Sequence, residues 1–317
     1  MRAIQIDRHG GPEVMQVVEL PVGEPGPGEV RVRHHACGLN FIDIYHRTGL
    51  YPVPLPSVLG TEAAGVVEAI GAGVTHLAIG DRVAYVARTV GSYADARVLA
   101  AAQVVRLPDA ISFATGAAMM LKGLTVQYLL RRTRVELPAG TSIVWHAAAG
   151  GVGLAAVRLA QRAGAEVFAT AGAPWKRELL RSMGVRHVFD SRTPAFGAQV
   201  LEATAGRGVD VVLNSLAGDL IEPSFDCIAR GGCFVEIGKR GIKSAQWVGA
   251  LDRELRYHVV DWGQTAAGDP ALVGAMLSRL VAGLADGSLP ALPRHVFALE
   301  EAPRAFRFMA QARHAGR

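Results

Sequence analysis

The fold class of this chain is decided by the stretch SIVWHAAAGGVGLAAVRLAQRAGAEVFATA, residues 142–171. It begins with an apolar run suited to a buried strand and passes through a loop of alanines and glycines, after which a helical segment and a second buried strand follow. The alternation continues, with strands predicted at 187–189, 209–213, 232–237 and 255–260 and helices at 175–183, 196–204 and 221–228. Strands that alternate with helices predict a doubly wound parallel sheet of the α/β class.

The loop within this stretch has the pattern of a dinucleotide-binding fingerprint. Ala148, Gly150 and Gly153 occupy the three positions that require small residues, because the backbone there approaches a pyrophosphate and the helix packs closely on the strand. Gly151 and Val152 lie where the first backbone amides of the helix would meet the negative charge of the phosphates. The alternative is a close helix–strand packing without a ligand.

The residues after the second strand indicate which dinucleotide is bound. A site for NAD usually has an aspartate or glutamate at the end of that strand, where it binds the ribose hydroxyls. Residues 169–172 contain no carboxylate, and Glu166 stands at the start of the strand, too far from the ribose. Lys176 and Arg192 follow, and cations suit a 2′-phosphate. We therefore predict NADP(H), although either cation taken alone would be read as surface charge.

The remainder of the chain predicts a second domain, into which the first is inserted. Up to about residue 115 the sequence consists of short apolar runs separated by glycine and proline turns, which is typical of a compact, partly open β-barrel. A helix is predicted at 114–130, and the tail is predicted to form two helices around 290–297. We expect one domain to comprise residues 1–121 and 266–317, and the dinucleotide-binding domain to comprise residues 122–265.

The composition excludes several classes of protein. Half of the 317 residues are hydrophobic and 19% are charged, so the chain can bury a core and is not disordered. The net charge of +5 is scattered without a run of four basic residues, so nucleic acid is not an expected partner. No stretch predicts a membrane span or a secretion signal. The three cysteines form neither a disulfide framework nor a metal motif, which indicates a reducing compartment and a cytoplasmic location.

Four segments outside the fingerprint resemble one family. They are GLNFID at 38–43, GLYP at 49–52, LGTEAAG at 59–65 and LKGLT at 121–125, and they resemble the zinc-free quinone oxidoreductases of the medium-chain dehydrogenase/reductase superfamily. The resemblance extends over essentially the whole chain. It implies a GroES-like barrel domain enclosing a Rossmann domain, NADPH as cofactor, a quinone or another conjugated, electron-poor small molecule as substrate, and a homodimer.

The second half of the chain is also similar to a related group. GVDVVLNSLAG at 208–218, FVEIGK at 234–239 and MAQARH at 309–314 resemble the enoyl reductase domains of polyketide synthases. An enoyl-thioester reductase is therefore the alternative function, with the same cofactor and a different acceptor. The family usually continues beyond the position of Arg317 into a short closing strand, so we expect that either the end of the chain was trimmed or a larger polypeptide continued here.

A catalytic metal is not expected. Zinc alcohol dehydrogenases of this superfamily resemble the same segments, but they have cysteine at the position of Asn40 and histidine at that of Thr61. Glu62 alone remains, and a single carboxylate is not a zinc site. Residues 85–115 contain no cysteine for a structural zinc. Hydride transfer to an acceptor whose developing negative charge is stabilised by hydrogen-bond donors remains feasible without a metal.

The resemblance implies a set of residues around the nicotinamide and the acceptor. Asn40 and Thr125 would position the nicotinamide region, and Tyr45 would line the acceptor pocket. Tyr51 matches a proposed proton donor in related enoyl reductases, since a phenol can hold the acceptor oxygen or protonate the product; the alternative is an aromatic wall that only packs. Lys122 could stabilise an enolate or bind phosphate, or it could form an ion pair with Asp43 or Glu62.

Further cofactor contacts are predicted at the carboxyl ends of the fourth and fifth strands, where ligands bind in such sheets. These residues are Asn214, Ser215, Gly238 and Lys239. Arg313 matches a family arginine that reaches the phosphate of NADP, and the alternative is a surface arginine near the terminus. A third hypothesis for the whole chain is a dinucleotide-binding protein with little catalysis, structural or RNA-binding in role.

Overall fold

The computed structural model describes residues 1–132, 139–260 and 270–316. The chain separates into two compact units. The first unit consists of Met1–Leu124 with Gly263–Ala315, and the second consists of Thr125–Trp262 with Gly316. Each unit has its own apolar core.

The first unit contains two antiparallel sheets. Its strands are β1 Arg2–Ile6, β2 Met15–Glu19, β3 Glu29–Cys37, β4 Ser57–Val58, β5 Glu62–Ile70, β6 Arg82–Val86, β7 Ala96–Ala100 and β8 Val104–Arg106. They are ordered β2-β1-β4 in one sheet and β7-β3-β5-β6-β8 in the other. Val32, Val67 and Tyr85 are buried in the core of the larger sheet. Strands this short, joined by glycine turns, agree with the β-rich pattern of the sequence.

Helices of the first unit connect these strands and close the chain. They are α1 Phe41–Thr48, α2 Phe113–Arg132, which continues into the second unit, and, at the end of the chain, α8 Pro270–Ala285 and α9 Ala302–Ala310. The last two confirm the two helices predicted for the tail. The sequence-based prediction has no helix at Phe41–Thr48, and it is wrong there. Asn40 followed by Asp43 is a helix-start signal that should have indicated it. Among the described helices, none combines the length and the apolar character needed to cross a bilayer.

The second unit is a six-stranded parallel sheet with helices between its strands. The strands are β9 Ser142–Trp145, β10 Glu166–Ala171, β11 His187–Asp190, β12 Val209–Asn214, β13 Ile228–Glu236 and β14 Arg256–Val259, in the order β11-β10-β9-β12-β13-β14. The helices are α3 Gly151–Arg162, α4 Pro174–Ser182, α5 Ala195–Ala203, α6 Ile221–Asp226 and α7 Ala245–Gly249. The predicted doubly wound α/β fold is confirmed. One boundary is corrected, because the helix predicted to reach Ile228 ends at Asp226 and Ile228 begins β13.

The core of the second unit is built on aromatic residues of the sheet and of α6. Phe225 stacks on Phe234 with ring centroids 3.7 Å apart, and Phe168 is fully buried in the same cluster. Because all six strands run in parallel, their carboxyl ends lie along one edge of the sheet. The loops that leave β9, β10, β11, β12 and β13 therefore start from that edge, where ligands of such sheets bind.

Candidate active site

Asn40 lies at the junction between a strand and a helix of the first unit. β3 ends at Cys37, and the chain turns through Gly38 before α1 begins. The backbone amide of Asn40 donates to Oδ2 of Asp43, 2.7 Å away, which fixes the first turn of α1. The helix ends at Gly49, whose φ of 78° favours glycine. Asn40 is thereby held at a defined point, with only 7% of its surface exposed.

The Asn40 side chain joins two charged residues from other parts of the first unit. Its Nδ2 donates to Oε1 of Glu62 at 2.7 Å, and its Oδ1 accepts a hydrogen bond from Nζ of Lys122 at 2.8 Å. Glu62 begins β5 and is fully buried, and Lys122 on α2 is 6% exposed. We call Asn40, Glu62 and Lys122 the amide cluster. The sequence reading placed Asn40 and Lys122 in one pocket but gave no role to Glu62 beyond a possible ion pair.

A second layer of buried groups supports the start of α1. The hydroxyl of Tyr93 donates to Oδ2 of Asp43 over 2.7 Å, so this oxygen accepts bonds from both Tyr93 and the Asn40 amide. Tyr93 lies against Gly60, where an added Cβ would come within 2.7 Å of the tyrosine ring. Gly60 therefore provides the space that lets the phenol reach the helix.

Tyr45 and Tyr51 form an aromatic pair at the far end of α1. Their ring centroids are 5.5 Å apart in an edge-to-face arrangement, and the backbone amide of Tyr51 donates to the carbonyl of Tyr45. Both side chains are half-buried. Tyr45 follows Asn40 by five residues, about 7.5 Å along a helix axis. The catalytic roles suggested for both tyrosines stay predictions.

Thr125 follows Lys122 by three residues on α2. Residues three apart lie on the same side of a helix, and Thr125 is half-buried. The spacing alone was enough to predict this relation from the LKGLT segment. The role of Thr125 at the nicotinamide stays a prediction.

The loop between β9 and α3 brings the start of the helix close to the end of the strand. At Gly153 an added Cβ would lie 2.5 Å from the Cα of Ala148, so no larger residue fits without moving the loop. The amide of Ala148 donates to the carbonyl of Thr170, which ties the loop to β10. Gly150 directly precedes α3, and Gly151 and Val152 form its first turn. Their amides are therefore at the helix N-terminus, as phosphate binding requires.

Cations gather beside the end of β10. The side chain of Arg192 lies over Gly172, where an added Cβ would be 2.5 Å from its Nε. Burial lowers the pKa of Lys176, and the positive charge of Arg192 lowers it further. The nearby carboxylate of Asp190 forms an ion pair with Arg177 at 3.0 Å. Lys176 and Arg192 lie close enough for their charges to interact, and a local positive potential attracts anionic groups.

The loops after β12 and β13 are joined through a buried carboxylate. Nδ2 of Asn214 donates to Oε2 of Glu236 at 2.8 Å, and the amide of Gly238 donates to Oε1. Burial raises the pKa of Glu236. Lys239 donates to the carbonyl of Val260 at 2.7 Å. Asn214 is itself fully buried, so it shapes the loop rather than offering its side chain to solvent.

Two further residues complete the predicted set. Ser215 is exposed directly after β12. Arg313 follows α9 and is also exposed; it lines a groove of about 510 Å³ together with Arg304 and Arg307. Sequence reasoning missed Glu236 because a carboxylate at the end of an apolar strand carried no motif of its own.

Metal-binding side chains do not cluster in the part of the chain that the structure describes. No group of three or more histidine, cysteine, aspartate or glutamate residues is arranged to hold a metal ion there. In the amide cluster, Oδ1 of Asn40, the oxygen that a metal ion would have to approach, accepts a hydrogen bond from the Lys122 ammonium.

The chain resembles known proteins over its whole length. Residues 26–109 match the alcohol dehydrogenase GroES-like domain, and residues 151–267 match the zinc-binding dehydrogenase family. A quinone oxidoreductase of Pseudomonas aeruginosa is 42% identical over 99% of this chain and 98% of its own. The chain belongs to the quinone oxidoreductase family of the medium-chain dehydrogenase/reductase superfamily. The resemblance drawn from the four sequence segments is confirmed.

Solved structures of a quinone oxidoreductase and of an enoyl reductase have the same fold as this chain. The Escherichia coli quinone oxidoreductase complexed with NADPH is 36% identical, with a TM-score of 0.92 over 100% of this chain and 98% of the other. The CurK enoyl reductase is 35% identical, with a TM-score of 0.92 over 99% and 97%. The pikromycin polyketide synthase component PikAII of Streptomyces venezuelae is 42% identical over 92% of this chain, which spans 8% of that protein. The similarity to polyketide synthases is likewise confirmed.

Proposed function

We propose that this protein is an NADPH-dependent oxidoreductase that reduces quinones or similar conjugated acceptors without a metal. The observation that carries the proposal is the pair of cations, Lys176 and Arg192, at the carboxyl end of β10 in a chain of the quinone oxidoreductase family. We assign most acceptor contacts to the domain of residues 1–121 and 266–317, with Lys122 added to them, and most cofactor contacts to the domain of residues 122–265.

The residues of the second unit fit NADPH in two respects. At the third small position of the Ala148–Gly153 loop, a Cβ on Gly153 would lie 2.5 Å from Ala148, so α3 packs closely on the end of β9. The amides at the start of α3, at Gly151 and Val152, would then meet the pyrophosphate. Lys176 and Arg192 suit a 2′-phosphate, since the two charges are close enough to interact and one phosphate could bond to both cations. Ser215, Gly238, Lys239 and Arg313 complete the proposed cofactor contacts, and Asn214 contributes by shaping the loop after β12.

The chemistry of the reaction divides between the cofactor and the first unit. Bound NADPH supplies a hydride from its nicotinamide ring, and reduction of a quinone to a hydroquinone needs one proton in addition. The Lys122 ammonium carries three donors, so while it is bonded to Asn40 it can also donate to the acceptor oxygen as negative charge develops there. Tyr51 is the proposed source of the proton, Tyr45 and Asn40 are the proposed orienting residues of the first unit, and Thr125 is a proposed nicotinamide contact of the second unit.

The amide cluster also supports the proposal that no divalent metal takes part. Nζ of Lys122 is 2.8 Å from Oδ1 of Asn40, so a cation binding at that amide oxygen would be repelled by the ammonium. Asn40 and Thr61 offer neutral oxygen atoms, whereas catalytic zinc prefers thiolate, imidazole and carboxylate ligands. Stabilisation of the acceptor oxygen is therefore assigned to hydrogen-bond donors.

The test compares cofactors and acceptors in the same protein. We expect NADPH to bind at least tenfold more tightly than NADH by calorimetry, and Lys176→Gln with Arg192→Gln to remove most of that difference. Arg186→Gln, a variant of a surface arginine between α4 and β11, is the matched control. Turnover of 1,4-naphthoquinone with NADPH completes the test. Equal affinities for the two cofactors, or no quinone turnover, would refute the proposal.

The second candidate is an enoyl-thioester reductase. It is favoured by the similarity to the CurK enoyl reductase and to PikAII over more than nine-tenths of this chain. Crotonyl thioester in place of naphthoquinone distinguishes the two functions, because both use the same cofactor. Brisk thioester reduction without quinone turnover would establish the second candidate. NADPH binding with turnover of neither acceptor would instead favour the non-catalytic alternative.

A homodimer is proposed as the assembly. β14 is an edge strand of the six-stranded sheet among the described strands, and Val259 on it is 47% exposed. An open strand edge can pair with its copy across a two-fold axis. Light scattering after gel filtration should give twice the mass of 33.5 kDa, and a single-chain mass would refute the proposal.

A cytoplasmic location is proposed from the state of the cysteines. Cys37, Cys227 and Cys233 are all free thiols. Burial raises the pKa of Cys227 to about 12, so this thiol stays protonated and unreactive. Free thiols suit a reducing compartment, and cell fractionation would test the location.

A further inference from the structure

Glu62 is hydrogen-bonded to Asn40, one of the residues assigned to the acceptor site. It is the first residue of β5 and is fully buried. Its two carboxylate oxygens accept bonds from different segments, Oε1 from Nδ2 of Asn40 and Oε2 from the backbone amide of Leu121, each at 2.7 Å. One carboxylate therefore ties the start of α1 to the turn of α2 that carries Lys122.

The orientation of the Asn40 amide follows from the chemistry of its two neighbours. An ionised carboxylate only accepts hydrogen bonds and an ammonium only donates them. Glu62 thus selects the NH₂ side of Asn40, which leaves Oδ1 directed to Lys122 at 2.8 Å. A side chain with a donor and an acceptor on one planar group is needed for this bridge, and asparagine provides it.

We propose that Glu62 is a positioning residue that acts through Asn40 to hold the Lys122 ammonium at one place in the acceptor site. The inference rests on the proposed function, in which Lys122 stabilises the acceptor oxygen. The negative charge of Glu62 and the positive charge of Lys122 are separated by one neutral amide, and all three side chains are buried. Removal of the carboxylate leaves the amide free to turn over, which weakens the hydrogen bond between Asn40 and the Lys122 ammonium.

The composition of the chain allows the ammonium to be observed directly. Only four lysines are present, at positions 122, 176, 239 and 243. In protein labelled with ¹⁵N-lysine, the Nζ signal of Lys122 is assigned as the one that Lys122→Arg removes. We expect Glu62→Gln to shift this signal or to make its exchange with water at least threefold faster. Glu68→Gln is the matched control, since Glu68 lies on the same strand and contacts Arg33 at the surface.

Kinetics then test whether the held ammonium matters for the reaction. Glu62→Gln should lower kcat at least tenfold and change the Kd for NADPH by less than twofold, because the Ala148–Gly153 loop, Lys176 and Arg192, which are proposed to bind the phosphates, lie in the other unit. Glu62→Asp, a carboxylate too short to reach both donors, should retain more activity than Glu62→Gln. Urea unfolding of each variant shows that it is folded, and Glu62→Asp serves as the test protein if Glu62→Gln is not.

The outcomes separate this inference from the proposed function. An unchanged Lys122 signal in Glu62→Gln, or a kcat within twofold of the wild type, overturns the positioning role. If the wild-type protein turns over neither acceptor, the proposed function fails, and the NMR measurement alone decides whether Glu62 holds Lys122.

Discussion

The buried histidine at the end of β9 should make the second unit sensitive to acid. Both ring nitrogens of His146 are engaged, Nδ1 with Oγ1 of Thr170 at 2.9 Å and Nε2 with Oγ of Ser224 at 3.0 Å. The Ser224 hydroxyl donates to the carbonyl of Leu220, so the hydrogen between His146 and Ser224 comes from Nε2. Thr170 then donates to Nδ1, and this pattern is complete only for the neutral ring.

Burial also opposes protonation of the ring. It lowers the pKa of His146 from 6.5 to about 3, whereas the unfolded chain keeps the ordinary value. Between these two values the unfolded state binds a proton that the folded state does not, so stability falls as the pH drops below 6.5. At pH 4.5 this single residue should destabilise the fold by about 3 kcal/mol relative to pH 7.5, since each pKa unit corresponds to about 1.4 kcal/mol.

The assay uses the tryptophans of the second unit. All four, at positions 145, 175, 247 and 262, lie within Thr125–Trp262, so their fluorescence follows unfolding of that unit in urea. Unfolding of the wild type and of His146→Gln is measured at pH 7.5 and at pH 4.5. Other titrating groups are common to both proteins and cancel in the double difference.

We expect the free energy of unfolding to fall by about 3 kcal/mol more in the wild type than in His146→Gln over this pH interval. His9→Gln, which removes an exposed histidine, should behave as the wild type does. Equal pH dependence in the wild type and in His146→Gln would show that the buried ring does not resist protonation, and the reasoning would be wrong.

Three other changes test the packing around each site. Gly153→Val should abolish measurable NADPH binding in calorimetry, because even a Cβ would lie 2.5 Å from Ala148; retained affinity would contradict the close-approach argument. Phe225→Ala should destabilise the second unit by about 3–5 kcal/mol in urea unfolding, since its ring stacks on Phe234 at 3.7 Å; a loss below about 1 kcal/mol would contradict it. Tyr93→Phe removes a donor to the buried Asp43 and should cost about 1–3 kcal/mol, measured as a lower midpoint of thermal unfolding; an unchanged midpoint would mean that the bond contributes nothing.

Much of the second unit could be predicted because its signals are local in the sequence. The apolar run before His146, the small residues that follow it and the helix after them are adjacent in the chain, and each element is set by a short-range pattern. Lys176 and Arg192 could be associated for the same reason, since both follow strands that must end at one edge of a parallel sheet. The start of α1 also has a local signal, the capping pair Asn40 and Asp43.

What the amino-acid sequence determined by itself was the alternating α/β pattern, the phosphate-binding loop and the absence of a carboxylate where NAD would need one. Only the tertiary structure decided the amide cluster, because Glu62 and Lys122 lie 22 and 82 residues from Asn40 along the chain. Their hydrogen bonds depend on how a strand, a helix start and a distant helix pack together. No periodicity within any one of these segments specifies that packing, so the orientation of one buried amide could be read only from the folded chain.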